Sequence, residues 1–499
     1  MVQKNIIDLW ISRLAMGLIF CYCLGAFLYG PCFAQIHVTL RFLPFPIFIG
    51  EILLLICLGI FLIAVEGSQL FGRRLVLWLS LYFGWVFFKS FFNYIHDGPL
   101  TCRNAALFYY PVFAVFTYFF YQKAKLPVQC LMALGALATG ILLFKIVISY
   151  CWWTSAVVVA IAIWNIRNIK WRWVAGGLLA IIFLLAKDYI YHSSRSHVIS
   201  LFVSILFLVF YLGMLFSRRK NFSVLGFLLV GLVLFIVGFF VFSYKTDIES
   251  MTSLNKVFNT FNYFDHIYQS AQKNYVPSQL EVHLYNEKRF ASGVPDLSTN
   301  PVMISPEISV KSAKPAKPAN LELPCSLKSI GHRIIHGRRL EERSFSLDEN
   351  NIIFRLFVWR DMGVEFLESR NPRVWLTGFS FGHPQRSRSI ETLGWASSEW
   401  SRDGWITPHN SFFHIIYRAG ILGIILIIIL FCMLIKLTKN FFNLNSVEGG
   451  LLISILIYWL VLSNFLVILE FPYNAIIFWS IFGITWGYCH ELKTRDLKQ

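Results

Sequence analysis

Thr407-Pro408-His409-Asn410-Ser411-Phe412-Phe413 leads directly into an apolar run, 411–435, punctuated by Gly420 and Gly423. A run of that length matches the roughly 20 apolar residues an α-helix needs to cross bilayer hydrocarbon. Ahead of it lies a long polar stretch, 245–408. The imidazole of His409 therefore stands where a water-exposed loop meets a membrane helix, at the level of lipid head groups. Pro408 just precedes the expected helix, and Asn410 or Ser411 is a good N-cap, so the first-turn N–H groups point outward with partial positive charge. Such an end favours an anion such as a phosphate, and a neutral imidazole beside it can accept a proton from a hydroxyl. The same residues equally suit an interfacial histidine that only caps a helix.

Outward from this point the apolar pattern recurs. Windows fall at 14–36, 43–65, 75–95, 104–121, 126–149, 152–166, 173–187, 198–216, 223–244, 411–435, 450–469 and 473–489. The expectation is an all-α membrane protein of about twelve transmembrane helices, with one large extracytoplasmic insert between helices 9 and 10. Its parts are an N-terminal bundle of nine helices (1–244), a large loop (245–408) and three C-terminal helices (409–499). Hydrophobic residues make up 57% of the 499 and charged residues 14%, with a mean hydropathy of +0.60, more apolar surface than one soluble core buries.

Lys and Arg collect on the cytoplasmic side of short loops. With a cytoplasmic N-terminus that side receives Lys4, Arg73, Arg74, Lys123, Lys125, Arg167, Lys170, Arg172, Arg218, Arg219, Lys220, Lys436, Lys439, Lys493, Arg495 and Lys498. The opposite short loops receive only Arg41, Arg103, Lys187 and Arg195. Both termini are thus expected in the cytoplasm and the large loop outside. The formal charge of +17 resides in the cytoplasmic loops, because the insert is nearly balanced. It is a topology signal with attraction to anionic membrane lipids as a by-product, and no nucleic-acid partner is expected.

Most of the ten cysteines lie in or near apolar spans with no CxxC pair, so neither a metal site nor a disulfide framework is indicated. Cys102 and Cys325 would both face outside and could pair. The first apolar run lacks a small-residue cleavage site and reads as a retained helix.

The insert divides by composition. Residues 246–290 carry Phe258, Phe261, Tyr263 and Phe264 at spacings compatible with a helix lying on the membrane surface. Residues 295–325, with Lys314-Pro315-Ala316-Lys317-Pro318-Ala319, suggest an extended, mobile linker. Order returns over 351–408. Phe354, Val358, Met362 and Phe366 predict a helix over Ile352–Leu367, stopped by Asn371-Pro372, with turns at Gly378 and Gly382.

Two arginines join His409 as candidates. Arg195, in Ser193-Ser194-Arg195-Ser196-His197 at the outer edge of a span, runs against the charge asymmetry, and its guanidinium suits bidentate binding of phosphate oxygens. A snorkelling interfacial side chain is the other reading. His197 reads as a neighbour of such a site, not a member. Arg355 stands four residues before Trp359, so the two share a helix face; a surface arginine stacked on an indole fits equally. Arg13, Glu51, Lys89, Lys145 and Arg418 are costly in hydrocarbon unless paired or turned inward. Arg418 is expected deep in its span, paired with Glu51.

No HExxH, Walker A loop, dinucleotide glycine fingerprint or GxSxG elbow is present in a suitable context. The first outer loop, Ile36–Phe42, has no acidic residue to hold a divalent ion, so a reaction needing no metal and no cofactor fits better.

The combination resembles the O-antigen ligase and polymerase family of bacterial inner-membrane glycosyltransferases. Ser194-Arg195-Ser196 is similar to the family's Ser-Arg element opening a membrane helix. Arg355-Leu356-Phe357-Val358-Trp359, followed by Pro372 and Gly378-Phe379-Ser380-Phe381-Gly382, resembles its Arg-x-x-x-Trp, Pro and Gly-rich segment. His409-Asn410-Ser411-Phe412-Phe413, ending in Gly420-Ile421-Leu422-Gly423, resembles its His-Asn element and trailing glycines. The likeness is best from about Lys187 to Lys436. The chain departs from the pattern in an insert lengthened over about Tyr275–Arg343 and in Phe413, where the family often has leucine.

The resemblance implies transfer of a glycan from undecaprenyl diphosphate to an acceptor glycan or to lipid A core. Arg195 and Arg355 would grip the diphosphate, His409 would act on the acceptor hydroxyl, and Asn410 and Trp359 would support them. It also implies a bacterial inner-membrane location with the large loop periplasmic. A flippase or transporter of lipid-linked glycan is the competing class, although no duplicated halves are evident.

Overall fold

The computed structural model describes residues 2–29, 31–39, 47–65, 73–124, 195–218, 347–387 and 407–497. Of these, 83% are helical. In chain order they form α1 (Val2–Tyr29), α2 (Pro31–Ala34), a two-residue hairpin pairing β1 (His37–Val38) with β2 (Ile47–Phe48), α3 (Ile49–Val65), α4 (Arg73–Asp97), α5 (Leu100–Tyr109) and α6 (Val112–Ala124). There follow α7 (Arg195–Arg218), α8 (Leu347–Glu368), α9 (Pro372–Thr377), α10 (Ser411–Asn443), α11 (Val447–Leu462) and α12 (Pro472–Asp496).

Three of these carry segments long and apolar enough to cross a membrane: Ile6–Ala26, Ile199–Arg218 and Ser411–Asn443. The protein is a mainly helical, membrane-embedded one. The described parts of the windows 14–36, 43–65, 75–95, 198–216, 411–435 and 473–489 are mainly helical. The windows 126–149, 152–166, 173–187 and 223–244, the segments 246–290 and 295–325, and Cys325 lie outside the described residues.

Two windows come out differently from expectation. The window 104–121 is divided between α5 and α6 at Tyr110-Pro111, because proline has no N–H to donate and its ring clashes with the preceding turn. The window 450–469 ends as helix at Leu462, and 463–471 makes the turns that carry Glu470.

Helices meet where glycine removes the side chain. On α12, a Cβ at Gly483 would come within 2.1 Å of Thr117 Oγ1, and one at Gly487 within 2.6 Å of the Tyr121 ring, so α6 and α12 approach at backbone distance. Polar bonds close the same seam: Gln122 Nε2 donates to Gly487 O at 2.6 Å, and Tyr121 OH to Glu491 Oε2 at 2.7 Å. Gly450 of α11 likewise accepts the ring of Tyr211 from α7, whose OH donates to Ser446 O at 2.8 Å. Gly483→Val should overpack the first seam and cost about 1–3 kcal/mol. A thermal unfolding scan of the purified protein reads this as a lower midpoint; an unchanged midpoint would place the α6–α12 contact elsewhere.

Candidate functional site

The site begins at the start of α10. Asn410, extended at φ −153°, is the N-cap, and its side chain accepts from Phe413 N at 2.9 Å. Ser411, the other candidate cap, is engaged elsewhere: its N–H donates to Ser463 O at 2.8 Å, its hydroxyl donates to Leu466 O and accepts from Leu469 N, both at 3.2 Å. The helix start is thereby laced to the turn joining α11 to α12. His409 precedes the cap with φ +50°, a left-handed conformation that histidine tolerates better than most residues, and this reverses the chain immediately before the helix.

The insert helix α8 supplies the second wall. Trp359 Nε1 donates to Pro408 O at 2.5 Å and holds the 407–410 loop against α8. Arg355 lies one turn earlier on the same face, as the spacing predicts, and its charge acts on the His409 imidazole. Burial first, and the Arg355 guanidinium second, push His409 from its ordinary 6.5 down to about 4, against the pull of Glu470. The imidazole is therefore neutral at pH 7.

Glu470 was not singled out by sequence reasoning. It sits buried in the turn before α12, and its Oε1 accepts a short hydrogen bond from His414 Nδ1. His414 Nε2 in turn takes Arg418 Nε–H at 3.1 Å. Arginine carries only donors, so Nε2 is the acceptor and the ring proton is on Nδ1, pointing at the carboxylate. The one clue in the sequence is a lone carboxylate between two apolar windows, where an ionisable group is costly unless it has a partner.

Arg418 is not paired with Glu51. The Glu51 Oε1 atom accepts instead from Tyr109 OH at 2.8 Å and Tyr110 OH at 2.6 Å. Arg418 is fully buried, bonded to His414 and, through Nη1, to Ser380 O at 2.5 Å. The reason is a break in α10 at Gly420, φ +59° and ψ −136°, which sets Ser411–Ala419 apart from the rest of the helix. Gly378, φ +73°, packs into that break, where a Cβ would meet the Arg418 carbonyl carbon at 2.2 Å. Phe379 N donates to Tyr417 O at 2.9 Å, and Lys89 of α4 donates to Thr377 O and to Arg418 O. The costly cations Lys89 and Arg418 thus satisfy backbone carbonyls at the end of α9, just after it and beside the break itself.

Beside this knot, Glu365 of α8 accepts from His383 Nε2 at 2.7 Å and from Tyr417 OH at 2.6 Å. Burial alone would raise the Glu365 carboxyl, but these bonds and the charges of His383 and Arg418 hold it below the ordinary carboxylate range.

Arg195 opens α7, but its side chain lies outside the described residues. Two residues on, His197 Nδ1 is hydrogen-bonded to Tyr458 OH of α11 at 2.7 Å, so its imidazole is held against that helix. Since Ser411 is bonded to Ser463 at the end of α11, the start of α7 lies toward the same end of the bundle as His409. The structure therefore brings Arg355, Trp359, His409 and Asn410 together and puts the backbone of Arg195 on their side. The arrangement sets a neutral imidazole within electrostatic reach of a guanidinium and of a buried carboxylate.

Compared with known proteins, the chain matches no family model, no curated protein and no solved structure.

Proposed function

We propose that the protein is an inverting membrane glycosyltransferase that moves a glycan from undecaprenyl diphosphate to an acceptor sugar hydroxyl without a metal. It would act either as an O-antigen ligase onto lipid A core or as an O-antigen or exopolysaccharide polymerase. In this reading the chain has about twelve transmembrane helices in the bacterial inner membrane, with both termini cytoplasmic and 245–408 periplasmic. The observation that carries it is the neutral imidazole of His409 at the start of a membrane helix, with the charge of Arg355 acting on it.

The chemistry is economical. The acceptor oxygen attacks the anomeric carbon, the new C–O bond forms as the bond to the diphosphate oxygen breaks, and the acceptor proton passes to His409. The diphosphate leaves with the electron pair and is neutralised by Arg355 and Arg195. A sugar diphosphate is already a good leaving group, so no strong acid is needed.

The direct test incubates purified protein with lipid-linked glycan, EDTA and separate candidate acceptors. Product in the presence of the chelator is expected; its complete loss, restored by magnesium, would overturn the mechanism.

A pH profile follows from the electrostatics. In the free enzyme the acid limb of kcat/KM should fall near 4, where His409 takes up its proton. Bound diphosphate adds negative charge beside the imidazole and favours its protonated form. The acid limb of kcat should therefore lie at higher pH than that of kcat/KM. Initial rates at limiting and saturating donor read both; limbs that coincide, or the reverse order, would remove His409 from the role of base.

A further inference from the structure

We infer that the segment Leu367–Thr377, part of the polar insert, is a membrane foot that seats phospholipid from the leaflet on the insert's side: acyl chains around Leu367, Trp375 and Leu376, phosphate on Arg370 and Arg373. The inference does not rest on glycosyl transfer.

The level of the bilayer is legible on α10. Before the break at Gly420 most side chains are buried, and the exposed apolar ones, Ile421, Ile424, Ile425, Ile428 and Ile429, begin just after it. Residues 421–443 alone, at about 1.5 Å each, measure about 34 Å, enough to cross a hydrocarbon core of about 30 Å, with the long exposed side chains of Lys436 and Lys439 extending to the head groups at the far end. The lipid-facing surface therefore starts at the break.

Helix α9 sits at that level. A Cβ on Gly420 would lie 2.4 Å from Trp375 O, and Lys89 fixes Thr377 O beside α4, whose Phe87, Phe88, Phe91 and Phe92 are also exposed. Leu367 is 65% exposed, Leu376 53% and Trp375 38%, although each is large and apolar. The short helix that carries Trp375 and Leu376 is thus packed against α10 at the break and bonded to α4, two helices that expose apolar side chains of their own.

The indole of Trp375 fits this place. Its only donor, Nε1–H, is spent on Ser369 O at 2.9 Å, so its exposed ring needs no water. Arg370 and Arg373 are exposed on the same short segment, in which Glu368 is the one acidic residue between 367 and 377. They supply the positive charge that head-group phosphates attract.

The test places the photo-crosslinker p-benzoyl-phenylalanine at position 376 of the full chain, in nanodiscs of phosphatidylethanolamine and phosphatidylglycerol, with position 428 as lipid-facing reference. After irradiation, the peptide bearing position 376 is expected to gain the mass of one phospholipid, as the reference does. The phosphatidylglycerol share of the adducts should exceed its share of the disc, and Arg370→Glu with Arg373→Glu should abolish that excess. A cross-link to a second copy of the chain, or no lipid adduct while position 428 forms one, overturns the inference. Adducts that mirror the disc composition in both proteins overturn the head-group part.

Discussion

His409→Ala is expected to lower glycosyl transfer by about 10²–10⁴-fold, the range a positioned general base supplies, while protein level and supply of lipid-linked donor stay intact. The substitution leaves the cap untouched, because Asn410 and not His409 bonds Phe413 N, and it leaves Trp359 clamped to the Pro408 carbonyl. Loss of transfer with a normal unfolding midpoint therefore reports chemistry. Donor should accumulate on the non-cytoplasmic face. Accumulation on the cytoplasmic face would instead support the flippase reading, and undiminished transfer would end the catalytic proposal. Added imidazole should restore part of the rate only if a base, and not a structural contact, was removed.

Arg355→Gln should cost about 10²–10³-fold, the effect of deleting one fixed group that stabilises developing charge. It carries a second signature. The Arg355 charge helps hold the His409 imidazole below its ordinary range, so its removal should move the acid limb of kcat/KM to higher pH. Arg355→Lys keeps the charge but loses the planar fork that grips two phosphate oxygens; it should retain the low-pH limb and recover only part of the rate. An arginine that merely stacked on Trp359 would still move the limb through its charge but would leave the plateau rate unchanged, and that result would sink its assignment to the diphosphate.

Where the sequence was informative, the determinants are short-range. The cap at Asn410 needs only an amide side chain three residues from Phe413 N. The face shared by Arg355 and Trp359 needs only helical spacing, and the windows need only length and hydropathy. Where expectation failed, the determinant was a neighbour distant in sequence. Arg418 paired with His414 and Ser380 O, not Glu51, because Gly420 breaks the helix and Gly378 fills the break; a glycine inside an apolar run does not announce which backbone will press against it. Glu470 escaped notice because its value lies in His414 and in the electrostatic reach of His409, neither of which is near it along the chain.

By itself, then, the amino-acid order determined a mainly helical, membrane-embedded chain and a capped helix start at His409-Asn410, since hydropathy and capping act within a few residues. Only the tertiary structure decided that the charges of Arg355 and Glu470 act on His409, and that Lys89 and Arg418 serve the carbonyls around the Gly420 break. Those outcomes depend on which helix faces meet, and that is set by packing across the whole bundle.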